Sequence, residues 1–124
     1  MRTLSAILSL VTLVVAAAGS AEAYEIFTPV LLSSNAGGGH HCTAVNKAAT
    51  GKITVQLQII SDDFQASCVA VELGPQQGTW CYANDYGFGN AAYCKITTTN
   101  IANTRATIMV LGSDLHATAA AEAK

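Results

Sequence analysis

The sequence predicts an all-β chain, a single antiparallel sandwich of about seven to eight short strands that is bridged by disulfides and preceded by a cleaved leader. Three observations predict it. Apolar and polar residues alternate with period two along much of the chain, and turn residues recur at near-regular intervals between the alternating runs. Four cysteines, Cys42, Cys68, Cys81 and Cys94, all fall beyond an apolar N-terminal stretch. Neighbouring side chains of a strand point to opposite faces, so alternation marks a strip with one face on a core and one in water.

Residues 1–23, "MRTLSAILSLVTLVVAAAGSAEA", have the layout of a signal peptide. Arg2 supplies a basic start, residues 4–18 are the apolar stretch, and Ala21-Glu22-Ala23 fits the small-x-small cleavage rule. The competing reading is a membrane anchor, but the run is shorter than the roughly 20 apolar residues a bilayer span needs. Cleavage between Ala23 and Tyr24 leaves residues 24–124 as one domain. No cysteine sits at the cut to carry a lipid, so no membrane insertion is expected after cleavage. The leader predicts export without separating periplasm from extracellular space.

In the domain that follows, "KITVQLQII" is the clearest strand, with Ile53, Val55, Leu57 and Ile59 on one side and Thr54, Gln56 and Gln58 on the other. Further strands are predicted over residues 29–33, 41–46, 67–73, 79–83, 91–98 and 105–111. The alanine-rich end, "HATAAAEAK", suits a last short edge strand better than a frayed helical turn. "NAGGG", "KAATG", "SDD", "LGPQQG", "NDYGFGN" and "TNIANT" separate these runs. Gly, Asn, Asp and Pro dominate them because they supply positive φ, local side-chain bonds or a fixed φ. Repeats and interdomain linkers are absent from the sequence.

An even number of cysteines in a short exported chain predicts disulfides rather than reduced thiols. Cys42 has the parity of Ala44, and Cys94 that of Ala92 and Ile96, so both should face inward from an early and a late strand. A bridge between them would tie two sheets together, as in immunoglobulin-type domains. Cys68 and Cys81 flank "LGPQQG". If a hairpin forms there, Val69, Val71 and Leu73 face the core with Trp80 and Tyr82, and the two cysteines share the opposite face. Four cysteines allow three pairings; Cys42–Cys94 with Cys68–Cys81 is the expected one.

"GGGHHC" (37–42) is the most suggestive chemistry, and it divides into two readings. Imidazole suits copper and zinc, so His40 and His41 could make this a periplasmic metal-binding protein. Against that, adjacent residues of a strand diverge, a bridged sulfur is no thiolate ligand, and the spacing matches no common zinc pattern. The sequence favours a glycine turn entering a strand, and no cofactor is expected. No G-x-S-x-G elbow, C-x-x-C or phosphate-cradling glycine loop is present, so no catalytic residue is assigned and an enzyme is not expected. Adjacent Asp62 and Asp63 suit a solvated turn, since a hard cation wants several more oxygens. The net charge of −2 persists after cleavage, with five basic against seven acidic residues. With no basic patch, nucleic acid and anionic membrane surfaces are not expected partners. Tyr86 and Phe88, held between glycines in "NDYGFGN", form a candidate binding loop if their rings do not fold back over the core.

At "CTAVN" (42–46), "AYCKIT" (92–97) and "TRATIMV" (104–110) the chain resembles a family of small, signal-peptide-bearing, uncharacterised bacterial proteins. These show a cysteine strand ending in Asn, an alternating strand, a Tyr-Cys-Lys/Arg strand and an Arg-Ala/Gly strand. The resemblance implies bacterial export and an immunoglobulin-like sandwich, with Cys42 and Cys94 as the paired cysteines; Cys68 and Cys81 depart from the pattern. It implies no activity. The resulting expectation is an exported, non-enzymatic module that binds a protein or glycan partner, or serves a structural role, through loops or an edge strand. A small secreted inhibitor is the other alternative to the metal reading.

Overall fold

The computed structural model describes residues 22–33, 38–84, 91–112 and 116–123. The leader up to residue 21 and the loop with Tyr86 and Phe88 therefore lie outside the described residues. Ten strands are formed: β1 Tyr24–Phe27, β2 Leu31–Leu32, β3 Gly39–Asn46, β4 Ile53–Ser61, β5 Gln65–Ser67, β6 Val71–Leu73, β7 Gly78–Asn84, β8 Ala91–Thr98, β9 Thr104–Leu111 and β10 Ala117–Glu122. They make two antiparallel sheets, and the described residues contain no helix.

The ten segments occupy eight lanes. In the first sheet β1 and β2 share one side of β8, β8 pairs β4, and β5 and β6 share the far side of β4. Both edges are thus single lanes interrupted once. Pro29 lies in the first break, where its missing N–H costs no ladder bond. The second sheet runs β10–β9–β3–β7.

Alternation determines the core. Ile53, Val55, Leu57 and Ile59 of β4 are buried, facing Ala44, Ala83, Ala106 and Ile108 of the other sheet. Three of the seven buried apolar residues on the facing strands β3, β7 and β9 are alanines, and none of the described Phe, Tyr or Trp side chains is buried. The described Phe, Tyr and Trp rings lie on or near the surface.

Both disulfides run from sheet to sheet. Cys42 of β3 joins Cys94 of β8, with Cα atoms 6.0 Å apart. Cys68, in the break between β5 and β6, joins Cys81 of β7 at 5.9 Å. This corrects the expected "LGPQQG" hairpin. β6 and β7 belong to different sheets, so the turn crosses the sandwich. Cys81 is fully buried, while Val69 and Trp80 are 84% and 65% exposed. The physical reason is that a sulfur reaching across the sandwich must point inward, which turns its strand neighbour Trp80 out.

Other boundaries shift as well. The expected strand over 29–33 contracts to Leu31–Leu32, and β1 forms ahead of it. The strand over 67–73 splits at Cys68, Val69 and Ala70, and β3 begins at Gly39. The glycine-turn reading of "GGGHHC" is accordingly revised at its second half. A Cβ on Gly38 would lie 2.1 Å from the Leu111 carbonyl oxygen, and one on Gly39 2.3 Å from that of Ala83. These two glycines allow close strand approach. The alanine-rich end is the edge strand β10.

Candidate binding face

The two histidines of "GGGHHC" separate as strand parity requires. His40 points inward and is fully buried; its Nε2 donates to the Leu31 carbonyl at 3.0 Å, fastening β2 to the opposite sheet. Its Nδ1 has no hydrogen-bond partner. His41 lies on the outer face, with its ring centroid 5.5 Å from that of Trp80 and the planes 30° apart. The rings therefore cannot share one ion. Among the described residues no group of three or more His, Cys, Asp or Glu side chains could hold a metal.

The outer face of the β10–β9–β3–β7 sheet carries the one exposed indole. Trp80 sits on edge strand β7, opposite Thr43, which in turn lies opposite Thr107 of β9. Tyr82, two residues along β7, is opposite His41, and His41 is opposite Met109. A Cβ on Gly39 would come within 2.8 Å of the Tyr82 ring, so the glycine leaves room for that ring beside β3. The phenol hydroxyl donates to Asn84 Oδ1 at 3.2 Å. Arg105 and Glu122 form an ion pair with each other on this face. Partial burial holds the His41 imidazole below its ordinary pKa near 6.5, which favours the uncharged ring.

Two features fix Trp80 in this position. The Cys68–Cys81 bridge pins the inward side of β7. The strand is also aimed by Asn46, which is fully buried at the end of β3. Asn46 Nδ2 donates to the carbonyls of Gly51 and Leu73, both at 3.1 Å, and its Oδ1 accepts from the Ala48 amide at 3.0 Å. Its backbone pairs with both Gln76 and Gln77. The turn leading into β7 is therefore hung on one side chain and its own peptide groups.

The other sheet offers a smaller feature. Val30, Ile60, Ser61, Asp62, Ala91 and Tyr93 line an open depression of about 310 Å³ beside the Phe27–Tyr93 ring pair. Asp62 is the one charged residue among those that line it, and Tyr93 lines it too. Asp63 does not line it.

Trp80 was not among the candidate residues read from the sequence. The signal that could have found it is the parity of the Trp80-Cys81 pair, once Cys81 is required to bridge two sheets rather than one hairpin. Compared with protein families, curated proteins and solved structures, the chain matches no family model, no curated protein and no solved structure.

Proposed function

We propose that the chain is an exported, non-catalytic binding module that meets its partner through the outer face of the β10–β9–β3–β7 sheet, centred on Trp80. The observation that carries this reading is the 65% exposure of the only tryptophan in the sequence, on a strand pinned by a disulfide. Burying such a ring in the core would be worth about 2–3 kcal/mol. A large apolar ring left in water on a rigid frame is what a binding surface needs. The signal-peptide layout of residues 1–23 and the two intramolecular disulfides, which are typical of exported proteins, support the location. The resemblance to small exported bacterial proteins points the same way, and leaves periplasm and extracellular space equally open. Opposite faces for His40 and His41 count against the metal-binding alternative, and no catalytic constellation favours an enzyme.

Hydroxyl-radical footprinting tests the face directly. Trp80 of the purified protein should oxidise readily, and in the intact producing cell it should be protected several-fold more than Phe27 on the other sheet. Equal oxidation of Trp80 in the two settings would refute the face.

A further inference from the structure

We infer that the ligand of the Trp80 face is a neutral polysaccharide, whose sugar rings lie on the Trp80 indole with their hydroxyls turned to Thr43 and Thr107. This rests on the reading of that face as a binding surface and names its ligand class.

The argument is one of chemical fit. A pyranose ring presents C–H groups on its faces and hydroxyls around its rim. The C–H groups carry slight positive charge and suit the negative face of an aromatic ring. Here an exposed indole is buttressed by the His41 ring at 5.5 Å and stands directly opposite a hydroxyl residue, Thr43, with a second one, Thr107, next in line. Trp80 and Tyr82 lie two residues apart on the same face of β7, about 7 Å along the strand. A chain that stacks on the first ring is thereby carried toward the second.

Charge narrows the choice. The outward residues of β3 and β7 around the indole are Thr43, Val45, Trp80 and Tyr82, none of them charged, with His41 biased to its neutral form. Arg105 and Glu122 neutralise each other. Among the described residues of this face, a nucleic acid or an anionic glycan would find no net cationic partner, and a charged peptide no counter-charge. A protein partner would want a broad apolar surround for its anchor. Beside the apolar Val45 and Met109 and the Tyr82 ring, what surrounds this indole is threonine hydroxyls and an imidazole, which suits a ligand that carries hydroxyls around an apolar ring face.

The test uses the exported chain, residues 24–124, with both disulfides formed. It is run in native gels cast with a soluble β-glucan, a soluble α-glucan or a galactomannan, and with polygalacturonate as the anionic comparison. At least one neutral polymer should retard the protein and shift the fluorescence of its single tryptophan. Trp80→Ala should weaken that retardation roughly tenfold or more. Trp80→Phe should keep part of it, and Val69→Ala, a change at a still more exposed apolar residue elsewhere, all of it. Unchanged melting temperatures separate lost binding from lost folding. Retardation by polygalacturonate alone, by none of the polymers, or equally with Trp80→Ala would overturn the sugar assignment. If Trp80 is nevertheless protected in the intact cell, the face stands and its occupant is a protein. If it is unprotected there, the face itself falls.

Discussion

Asn46 makes three side-chain hydrogen bonds from a fully buried position. With its amide bonded to Gly51, Leu73 and Ala48, it closes the connection after β3 and holds β6 beside it. Truncation would leave two carbonyls and one N–H without partners in a buried site. Asn46→Ala should therefore lower the urea-unfolding free energy by about 2–4 kcal/mol. Asn46→Asp should also destabilise, because its carboxylate oxygen would face carbonyl oxygens that now receive N–H donors. His41 gives a different prediction. Burial lowers its folded pKa, so between the unfolded value and the folded one the unfolded chain binds a proton that the folded chain does not. That contribution costs no stability above the unfolded value and destabilises progressively as pH falls through it toward the folded pKa. The melting temperature of His41→Gln should accordingly fall less than that of the native protein between pH 7.5 and 5.5. In an NMR titration, Trp80→Ala should raise the His41 pKa toward its ordinary value by opening the ring to water. An unmoved titration would mean that the indole does not shield it.

At the scale of strands, what could be read from sequence depended on how much of a strand's environment lies within the strand. β4, β8 and β9 alternate cleanly because both of their neighbours are strands, and each buries one complete face. Their boundaries are predicted within a residue or two, as are those of β3 and of the uninterrupted edge strand β7. The interrupted edges are different. β1 buries only Ile26 of its four residues, too little to register as alternation. The break between β5 and β6 falls at Cys68, whose amide still donates to the Leu57 carbonyl of β4 at 3.0 Å while its sulfur crosses to Cys81 in the opposite sheet. The same long-range constraint turned the predicted hairpin into a crossing and moved Trp80 from the expected core to the surface. The turn itself obeys local rules: Pro75 follows Gly74, and the Gln77 amide donates back to the Gly74 carbonyl at 3.2 Å. Yet Gln76 takes φ 61°, a conformation that favours glycine, and spends its side-chain amide on the Lys47 and Ala48 carbonyls. Two distant carbonyls explain a residue that turn chemistry alone would not place there.

For the molecule as a whole, the disulfides decide where it can fold. A core that buries five alanines and, among the described residues, no Phe, Tyr or Trp offers little apolar area for so small a domain. Closing loops of 52 and 13 residues is worth about 4 and about 3 kcal/mol in the chain-entropy model, against a total of about 5–15 kcal/mol for an ordinary domain. Cys42→Ala with Cys94→Ala should thus lower the urea midpoint more than Cys68→Ala with Cys81→Ala. It also empties two fully buried positions between the sheets, which adds a packing loss. Full reduction removes both constraints, and the reduced chain should lose the sharp tryptophan fluorescence transition at temperatures where the oxidised protein keeps it. Expression should separate in the same way: soluble folded protein from an oxidising compartment, unfolded chain from a reducing one. A reduced protein that melts within a few degrees of the oxidised one would show that alanine packing and the Asn46 network suffice. The disulfides would then be dispensable for folding.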